Sequence, residues 1–219
     1  TGYFKLLGSY ATSYITPNLV QLFGEFGANP ELEPEEDRTI EGGFEAAVSE
    51  RLRFSALYFS RKEENFITFD QNFKSVNAAN TINAQGTELE LDWILTDALR
   101  FNANYTFTER KGDDAVRIPK HKINGSVFYR ISSKTDVSLS YQYTGERPDI
   151  YYPPFPEPQE NLMLKAFSLL DFRVSQVCIP DTLTFFLNVD NVLNESYTEV
   201  FGFTTRGRNV RVGLNLHLD

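Results

Sequence analysis

Residues 99–108 read Leu99-Arg100-Phe101-Asn102-Ala103-Asn104-Tyr105-Thr106-Phe107-Thr108, a strict alternation of apolar and polar side chains. Successive side chains of a β-strand point to opposite faces of its sheet, so this period of two predicts a strand with one apolar and one polar face. Strands of soluble proteins average about 5–6 residues, whereas a tilted strand needs about 9–11 to cross a bilayer. The length of the stretch therefore favours a membrane-crossing strand.

The same alternation returns along the rest of the chain, most clearly at residues 87–93, 136–143 and 209–218. No stretch has a convincing helical period. We therefore predict an all-β protein. Its ten predicted strands lie at residues 3–13, 36–47, 51–68, 74–95, 99–109, 121–132, 135–146, 164–177, 182–195 and 206–218.

The connections between these predicted strands are of two kinds. Four are tight turns, at Ser49-Glu50, Thr96-Asp97, Ser133-Lys134 and Pro180-Asp181. The connections at the opposite strand ends are longer and polar, at residues 14–35, 110–120, 147–163 and 196–205, with a short link at 70–73 as the exception. Short turns on one rim and long loops on the other are typical of outer-membrane β-barrels.

Composition and charge exclude several other classes of protein. The chain has 21 Lys and Arg against 30 Asp and Glu, and its net charge of −9 argues against nucleic acid as a partner, since that needs a basic surface. The longest apolar run is the four residues Ala56–Phe59, which is too short for a membrane-spanning helix. The single cysteine, Cys178, excludes an internal disulfide and a multi-cysteine zinc site.

The alternation also assigns side chains to the two faces of the predicted barrel. The face expected to meet lipid includes Leu89, Leu91, Trp93, Phe101, Ala103, Leu139, Val212 and Leu214. The face expected to line a wet lumen includes Glu88, Glu90, Arg100, Asn102, Ser138 and Arg211. An aromatic girdle is expected at Tyr105, Phe107, Tyr141 and Tyr143. A soluble β-sandwich, which would need no detergent, is the alternative that this pattern leaves open.

Three sets of segments carry a more specific signal. The first set is residues 9–14, 17–19, 29–35 and 41–45; the second is 77–79 and 86–90; the third is 188–197, 202–203 and 206–208. In this order the segments resemble the C-terminal half of the barrel of TonB-dependent outer-membrane receptors, over essentially the whole of residues 1–219. Within that family the chain is most similar to the vitamin B12 (cobalamin) receptors, chiefly between Pro17 and Glu35 and over Glu199–Phe203.

The resemblance implies a transmembrane antiparallel β-barrel in the outer membrane of a Gram-negative bacterium. The family's receptor is a barrel of about 22 strands around a plug, so the ten predicted strands are a little under half of it. Neither the plug nor the segment that engages TonB is found in these residues. The implied partners are therefore TonB acting through a plug absent from this chain, the remaining barrel strands, the outer-membrane lipid and a ligand. The implied cargo is a corrinoid, with a ferric siderophore as the alternative.

Aromatic residues in the predicted long loops are the candidates for ligand contact. Tyr151, Tyr152 and Phe155 lie among five prolines, which stiffen the loop so that exposed rings form a preorganised face for a large, partly apolar ligand. The same argument applies to Phe23 with Phe26 and to Phe201 with Phe203. The alternative is that these rings pack within their own loops.

Metal binding and catalysis are not predicted. His121 and His217 lie in different strands and have no carboxylate spacing that indicates a metal site. The acidic residues Glu31, Glu33, Glu35, Glu36 and Asp37 do not match an EF-hand, and we expect a solvated loop there. An outer-membrane enzyme is a further alternative, but the chain has no nucleophile motif with a positioned histidine. We predict a transport function without a catalytic residue or a cofactor.

Single residues predict local departures from regular strands. Gly86, inside a strand pattern, suggests a bulge or a bend. Asn191, Asn194 and Gly202 suit turns or the left-handed conformation. The first and last strands would have unpaired edges, which hydrocarbon does not tolerate, so we expect them to pair with strands from outside these residues rather than with each other.

Overall fold

The computed structural model describes residues 2–70, 72–111, 116–154 and 156–217. One short helix and fourteen strands form its regular structure in this part of the chain. The elements are β1 (Tyr3–Ile15), α1 (Leu19–Phe23), β2 (Glu35–Ser49), β3 (Leu52–Glu64), β4 (Ile67–Phe69), β5 (Ser75–Asn77), β6 (Ile82–Ile94), β7 (Leu99–Lys111), β8 (His121–Ser132), β9 (Thr135–Thr144), β10 (Arg147–Tyr151), β11 (Glu160–Leu164), β12 (Phe167–Ile179), β13 (Leu183–Asp190) and β14 (Asn209–Leu216).

Ten of these strands form one antiparallel sheet in the order β1-β2-β3-β6-β7-β8-β9-β12-β13-β14. Within this sheet, the strands pair in the order in which they occur along the chain. The two small hairpins β4–β5 and β10–β11 are inserted between sheet strands and form separate two-stranded sheets. The predicted ten-stranded meander is confirmed, and the two packed sheets of a sandwich are not seen. Among the described residues, no helix is long and apolar enough to cross a membrane.

The sheet is open in the described part of the chain, because β1 and β14 stand at its two ends and do not pair with each other. Among the described strands, β1 bonds only to β2 and β14 bonds only to β13. Each therefore presents a free row of backbone N–H and C=O groups along its outer edge. The expected open edges are present, and they mark where further strands have to pair for the sheet to be stable in a bilayer.

The strand register confirms the predicted division of side chains between two faces. Directly paired residues lie on the same face of a sheet, so one cross-strand row can be followed from β3 to β14. The row is Leu52, Trp93, Phe101, Val127, Leu139, Phe172, Val189 and Val210. Every member is apolar, and the six predicted lumen residues fall on the opposite face. Hydrocarbon is the solvent that such a continuous apolar face requires.

Hydrogen bonds between neighbouring strands cover the polar face. Ser126 Oγ donates to Asn102 Oδ1 at 2.6 Å, and Asn124 Nδ2 donates to Asn104 Oδ1 at 2.9 Å. Ser55 Oγ donates to a carboxylate oxygen of Glu90 at 3.3 Å. These groups need water or each other, so this is the face compatible with a wet lumen.

The four tight turns lie where they are predicted, together on one rim. Three of them have a register shift in the adjoining hairpin, between Ala47 and Ser49, Arg130 and Ser132, and Val177 and Ile179. At the fourth turn, between β6 and β7, the ladder runs without a shift. Bulges beside turns increase the local twist and end the pairing cleanly.

The predicted bulge at Gly86 is wrong. Pairing continues through this residue on both sides, to Phe59 in β3 and to Thr108 in β7. The reason for a glycine is space: a Cβ here would meet Cζ of the Phe59 ring at 2.5 Å and would also collide with the Phe107 carbonyl oxygen. Gly86 therefore leaves the space that the Phe59 ring of the neighbouring strand occupies.

Two predicted long strands, 51–68 and 74–95, are each broken in the structure. β3 ends at Glu64, and Asn65 takes the left-handed conformation with φ of +58°. The hairpin β4–β5 follows, and β6 begins only at Ile82. The predicted short link at 70–73 is therefore the tip of a longer connection. The alternation itself stops before the break, since Arg61-Lys62-Glu63-Glu64-Asn65 are all polar, and the predicted strand runs past that point.

Three further predictions need correction on the same rim. The connection 147–163 contains the hairpin β10–β11 rather than irregular loop, and the connection after β1 contains α1, whose N-cap Asn18 forms a capping box with Gln21. β13 ends at Asp190 and β14 begins at Asn209, so the last connection is longer than predicted. The left-handed conformation is confirmed at Asn191, Asn194 and Gly202, which have φ of +51°, +55° and +83°.

Candidate ligand-binding rim

The rim opposite the tight turns carries long connections between the described strands of the large sheet. They span residues 16–34, 65–81, 112–120, 145–166 and 191–208. Because neighbouring strands are antiparallel, alternate connections fall on the same rim, and all five lie together there. Long loops mark the extracellular rim of an outer-membrane barrel.

The connections 16–34 and 65–81 are joined by hydrogen bonds from two asparagine side chains and between their backbones. Asn29 Nδ2 donates to the Ser75 carbonyl oxygen at 3.0 Å, and the Ser75 amide donates to the Gly27 carbonyl oxygen at 2.7 Å. Asn77 Oδ1 accepts the Glu33 amide at 2.9 Å, and Asn77 Nδ2 returns a bond to the Glu33 carbonyl oxygen at 2.9 Å. These contacts join the first connection and the hairpin β4–β5 into one unit, which we call the first loop unit.

The predicted aromatic residues of the first loop unit point outward. Phe23, at the end of α1, is 69% exposed, and Phe26 is 87% exposed. The two rings are therefore not packed within their own loop. Ligand contact by Phe23 and Phe26 stays a prediction.

A second loop unit is formed by the hairpin β10–β11 and the connection 191–208. Arg147 and Asp149 stand two residues apart on β10 and therefore point to the same side of the strand. Arg147 Nη2 donates to the Thr198 carbonyl oxygen at 2.6 Å, and Asp149 Oδ2 accepts the Phe201 amide at 2.8 Å. Both side chains are buried, at 4% and 1% residue exposure.

The Asp149 carboxylate has hydrogen-bond donors on both oxygens. Its Oδ1 accepts Arg117 Nε at 2.7 Å and the Ile150 amide at 2.9 Å, while Oδ2 accepts Phe201. Burial by itself raises the pKa of the Asp149 carboxyl. The bonds from Phe201 and Ile150, and the nearby Arg117 charge, outweigh burial and hold that pKa below its usual range. A buried carboxylate is stable here because all three donors favour its charged form.

The Arg147 guanidinium lies over an aromatic pair at the base of the same unit. Its Cζ is 5.2 Å from the centre of the Phe167 ring, which packs against Tyr197 at 4.6 Å between centroids. Burial lowers the pKa of Arg147, and the charges of Glu199 and Asp149 partly offset it. Burial likewise raises the pKa of the Tyr197 hydroxyl. The cation–π contact compensates part of the lost hydration of the guanidinium.

Ring contact joins one pair of the predicted ligand residues in this unit. Tyr151 and Phe201 pack edge to face with centroids 5.0 Å apart. Tyr152 and Phe203 are exposed, at 69% and 73%. Phe155, which was predicted with them, lies outside the described residues. One pair therefore packs across the two connections of the unit and two rings are exposed, and ligand contact by these residues stays a prediction.

A cavity of about 590 Å³ lies between the hairpin β10–β11 and the outer ends of β7, β8 and β9. Its basic lining comes from Arg110, Lys120 and His121, and its apolar lining includes Tyr143 and Met163. His121 is held by a hydrogen bond of 2.8 Å between its Nδ1 and the Tyr105 hydroxyl. Within the described ranges, no three His, Cys, Asp or Glu side chains come together as a metal site.

A charged cluster lies on the polar face just below this rim. Arg110 bonds both oxygens of Glu63 at 2.6 Å, Arg61 Nε lies 3.1 Å from Glu63 Oε1, and Arg61 Nη2 lies 3.0 Å from Asp37 Oδ2. Asp37 and Glu63 are each 7% exposed. The prediction that the acidic stretch is a solvated loop is therefore wrong for Asp37.

Two other residues of that acidic stretch also have structural partners. Glu35 Oε1 accepts the Ile67 amide at 2.9 Å, and Glu33 Oε2 accepts Asn65 Nδ2 at 3.2 Å. Both bonds attach the stretch to the hairpin β4–β5. The physical reason for the correction is that β2 begins at Glu35, so Glu35 and Asp37 belong to a strand of the sheet. Glu33, just before that strand, is attached to the neighbouring connection through Asn65.

Sequence reasoning missed Arg147 and Asp149, which are two of the most buried polar residues of the second loop unit. A signal was present, since Arg147-Pro148-Asp149 places opposite charges two positions apart, on one side of a strand. The spacing does not predict a paired site when residues 147–163 are taken as a loop, because side chains two positions apart share a side only in a strand. A proline within a strand is tolerated in this short hairpin, which is separate from the main sheet.

The amino-acid sequence is similar to known proteins over most of its length. The family described as TonB dependent receptor-like, beta-barrel matches residues 1–192. The vitamin B12 transporter BtuB of Vibrio cholerae serotype O1 is 28% identical over 211 residues, which cover 94% of this chain and 33% of that protein. The chain thus spans about a third of the length of the curated relatives it matches.

Solved structures share the fold at lower identity. The pyoverdine outer membrane receptor FpvA from Pseudomonas aeruginosa PAO1, bound to pyoverdine, has a TM-score of 0.81 at 20% identity, over 98% of this chain and 34% of that one. The ferric-catecholate import receptor Fiu from K12 E. coli has a TM-score of 0.78 at 19% identity, over 98% and 33%. The sheet, its rim and these matches lead to one conclusion: the chain belongs to the TonB-dependent receptors, the transport receptors whose β-barrels lie in the outer membrane of Gram-negative bacteria.

Proposed function

We propose that residues 1–219 form the C-terminal part of the barrel of an outer-membrane receptor that takes up a corrinoid such as vitamin B12. The observation that carries this proposal is the 28% identity to a vitamin B12 transporter over 94% of the chain. The siderophore receptors of known structure stand at 19–20% identity, a level that reflects the fold and not the cargo.

The chemistry of the rim supports a large, partly apolar cargo. Tyr152, Phe203, Phe23 and Phe26 are between 69% and 87% exposed, so their rings are available without any rearrangement. A corrinoid offers a broad macrocycle edged with amide side chains. Aromatic rings bury such a surface efficiently, while a few polar groups orient it.

In this proposal the barrel binds and admits the cargo and performs no covalent chemistry. The energy for transport comes through TonB acting on the plug of the complete receptor. The lumen wall described above is the surface that such a plug would meet. Its polar hydrogen-bonded rows, including the Ser126–Asn102 contact, suit a hydrated interface between wall and plug.

A ferric siderophore is the second candidate cargo, and one observation favours it. The cavity beneath the hairpin β10–β11 is lined by Lys120 and His121, and also by Arg110, whose charge is already paired with Glu63. Basic side chains attract the anionic ferric complexes of catecholate ligands. Glu146 lines the same cavity and reduces this attraction. The identity to the vitamin B12 transporter therefore outweighs it.

Equilibrium binding to the complete receptor, purified in detergent, separates the two cargoes. Cyanocobalamin should bind saturably, and an excess of ferric siderophores should not displace it. Variants of the basic cavity, such as Lys120→Gln, should leave cyanocobalamin affinity within about twofold, since surface substitutions away from a contact are worth about 0.5 kcal/mol or less. Tight siderophore binding without cobalamin binding would reject the corrinoid.

A further inference from the structure

We propose that Asp149 is a positioning residue for ligand binding: together with Arg147 it holds the backbone of residues 198–201, so that the hairpin β10–β11 and the connection 191–208 present one rigid aromatic face. We call Arg147 and Asp149 the β10 clasp. The ligand half of this inference rests on the proposed function, namely that this rim receives the cargo. The loop-coupling half stands on the structure alone.

The β10 clasp forms hydrogen bonds of both kinds with the backbone of the connection 191–208, one as donor and one as acceptor. Arg147 donates to the carbonyl oxygen of Thr198 at 2.6 Å, and Asp149 accepts the amide of Phe201 at 2.8 Å. Because a cation bonds to a carbonyl oxygen and an anion bonds to an amide N–H, the two contacts fix both the position and the chain direction of residues 198–201. Both bonds are made to backbone atoms, so they do not depend on which side chains residues 198–201 carry.

Burial makes the clasp sensitive to small chemical changes. Asp149 is 1% exposed and accepts three N–H groups, from Arg117, Ile150 and Phe201. An asparagine in its place has one acceptor oxygen, and its own NH₂ group would face one of those donors. A buried donor without an acceptor is costly, so Asp149→Asn should release the segment.

The ring geometry connects the clasp to ligand binding. The Asp149 bond is made to the amide of Phe201, whose ring packs edge to face on Tyr151 two residues further along β10. The backbone bond thus fixes the residue that carries the ring. Preorganised rings bind a ligand more tightly than mobile ones, because binding then does not have to pay the entropy cost of ordering them.

The first measurement is independent of any ligand. In the complete receptor with Cys178 replaced by serine, spin labels at Glu160 of β11 and Thr204 of the connection 191–208 report the distance between the two loops; both side chains are exposed. We expect a narrow distance distribution that Asp149→Asn broadens. An unchanged narrow distribution in Asp149→Asn would overturn the proposal.

Control variants separate the clasp from general effects of charge and folding. Asp97→Asn also removes a carboxylate paired with an arginine, Arg51 at 2.6 Å, but on the opposite rim and 92% exposed; it should leave the distribution narrow. Arg147→Lys keeps the charge and loses the planar fork, and it should broaden the distribution less than Asp149→Asn. It provides the second variant if Asp149→Asn fails to assemble, which heat-modifiable migration on gels detects.

The second measurement uses cyanocobalamin as the probe. Asp149→Asn should weaken its binding about tenfold or more, the range expected for losing hydrogen bonds to a charged group. Saturating cyanocobalamin should narrow the broadened distribution again. If distances broaden while affinity stays unchanged, the positioning role is wrong. If the unsubstituted receptor does not bind cyanocobalamin, the proposed cargo fails, while the distance measurement still decides the coupling.

Discussion

The carboxylate of Asp149 and the backbone amide of Phe201 lie 2.8 Å apart, although 52 positions separate the two residues in the chain. The bond joins a strand of one extracellular hairpin to the middle of another connection. With the matching bond from Arg147 to Thr198, it makes two long loops behave as one unit. The rest of the rim follows the same principle, since Asn29 and Asn77 fasten the first connection to the hairpin β4–β5.

The first prediction concerns the pH dependence of this bond. Because its hydrogen bonds hold the pKa of Asp149 below the ordinary value of about 3.9, the stabilisation is complete above that value and is lost as the pH falls through the lowered pKa. The spin-label distance between Glu160 and Thr204 should therefore be constant from neutral pH to about pH 5 and broaden only in stronger acid. In Asp149→Asn it should be broad throughout. Broadening near neutral pH in the unsubstituted receptor would contradict the assignment.

A second prediction tests why β6 contains a glycine. Gly86→Ala places a methyl group against the Phe59 ring and the Phe107 carbonyl oxygen, and should destabilise the barrel by about 1–3 kcal/mol. Gly42→Ala is the matched control, because a Cβ there meets nothing within 4 Å. Chemical unfolding of the complete receptor in detergent compares the two. Equal midpoints for both variants would show that the ring contact is unimportant.

A third prediction tests which face of the sheet meets lipid. Leu89 and Glu90 are neighbours on β6 but lie on opposite faces, paired with Ala56 and Ser55 of β3 respectively. Leu89→Arg should cost about 2–4 kcal/mol, because a basic side chain would stand in hydrocarbon. Glu90→Arg should cost much less, since it faces the lumen. Unfolding in lipid vesicles measures both, and a larger loss for Glu90→Arg would reverse the faces.

A fourth prediction addresses the exposed rings of the second loop unit. Phe203→Ala should weaken cyanocobalamin binding to the complete receptor about tenfold, because a buried aromatic contact at a binding site is commonly worth more than 1 kcal/mol. Tyr129→Ala is the control, since Tyr129 is 46% exposed on the apolar face near the opposite rim. Titration by equilibrium dialysis gives both affinities. Unchanged cyanocobalamin affinity in Phe203→Ala would contradict this prediction. Equal loss of affinity in Tyr129→Ala would indicate a fold defect instead of a ligand contact at Phe203.

Local periodicity was enough to predict the wall of this protein. The alternation through Leu99 and Phe107 is a property of neighbouring residues, and it gave the strand, its faces and the turn at Thr96-Asp97 without any knowledge of partners. The left-handed residues at Asn191 and Asn194 were predicted for the same reason, because an asparagine tolerates that conformation through its own side chain.

The loops could not be predicted in this way, because their structure depends on distant partners. Arg147 and Asp149 bond to Thr198 and Phe201, which lie 51 and 52 positions away in the chain. Asn65, just after the end of β3, likewise bonds to Glu33 of another connection. The glycine at position 86 suggests a bulge or a bend from sequence alone, because the ring that needs its space, Phe59, lies on another strand. The candidate site is therefore the part of the molecule where sequence reasoning was least complete.

Uptake by living cells tests the proposed cargo most directly. Cells whose sole vitamin B12 receptor is the complete protein containing these residues are supplied with cobalt-labelled cyanocobalamin, with and without a functional TonB. We expect accumulation of label that depends on TonB and falls when Phe203 is replaced by alanine. No accumulation of cobalamin, together with TonB-dependent uptake of a ferric siderophore by the same cells, would contradict it.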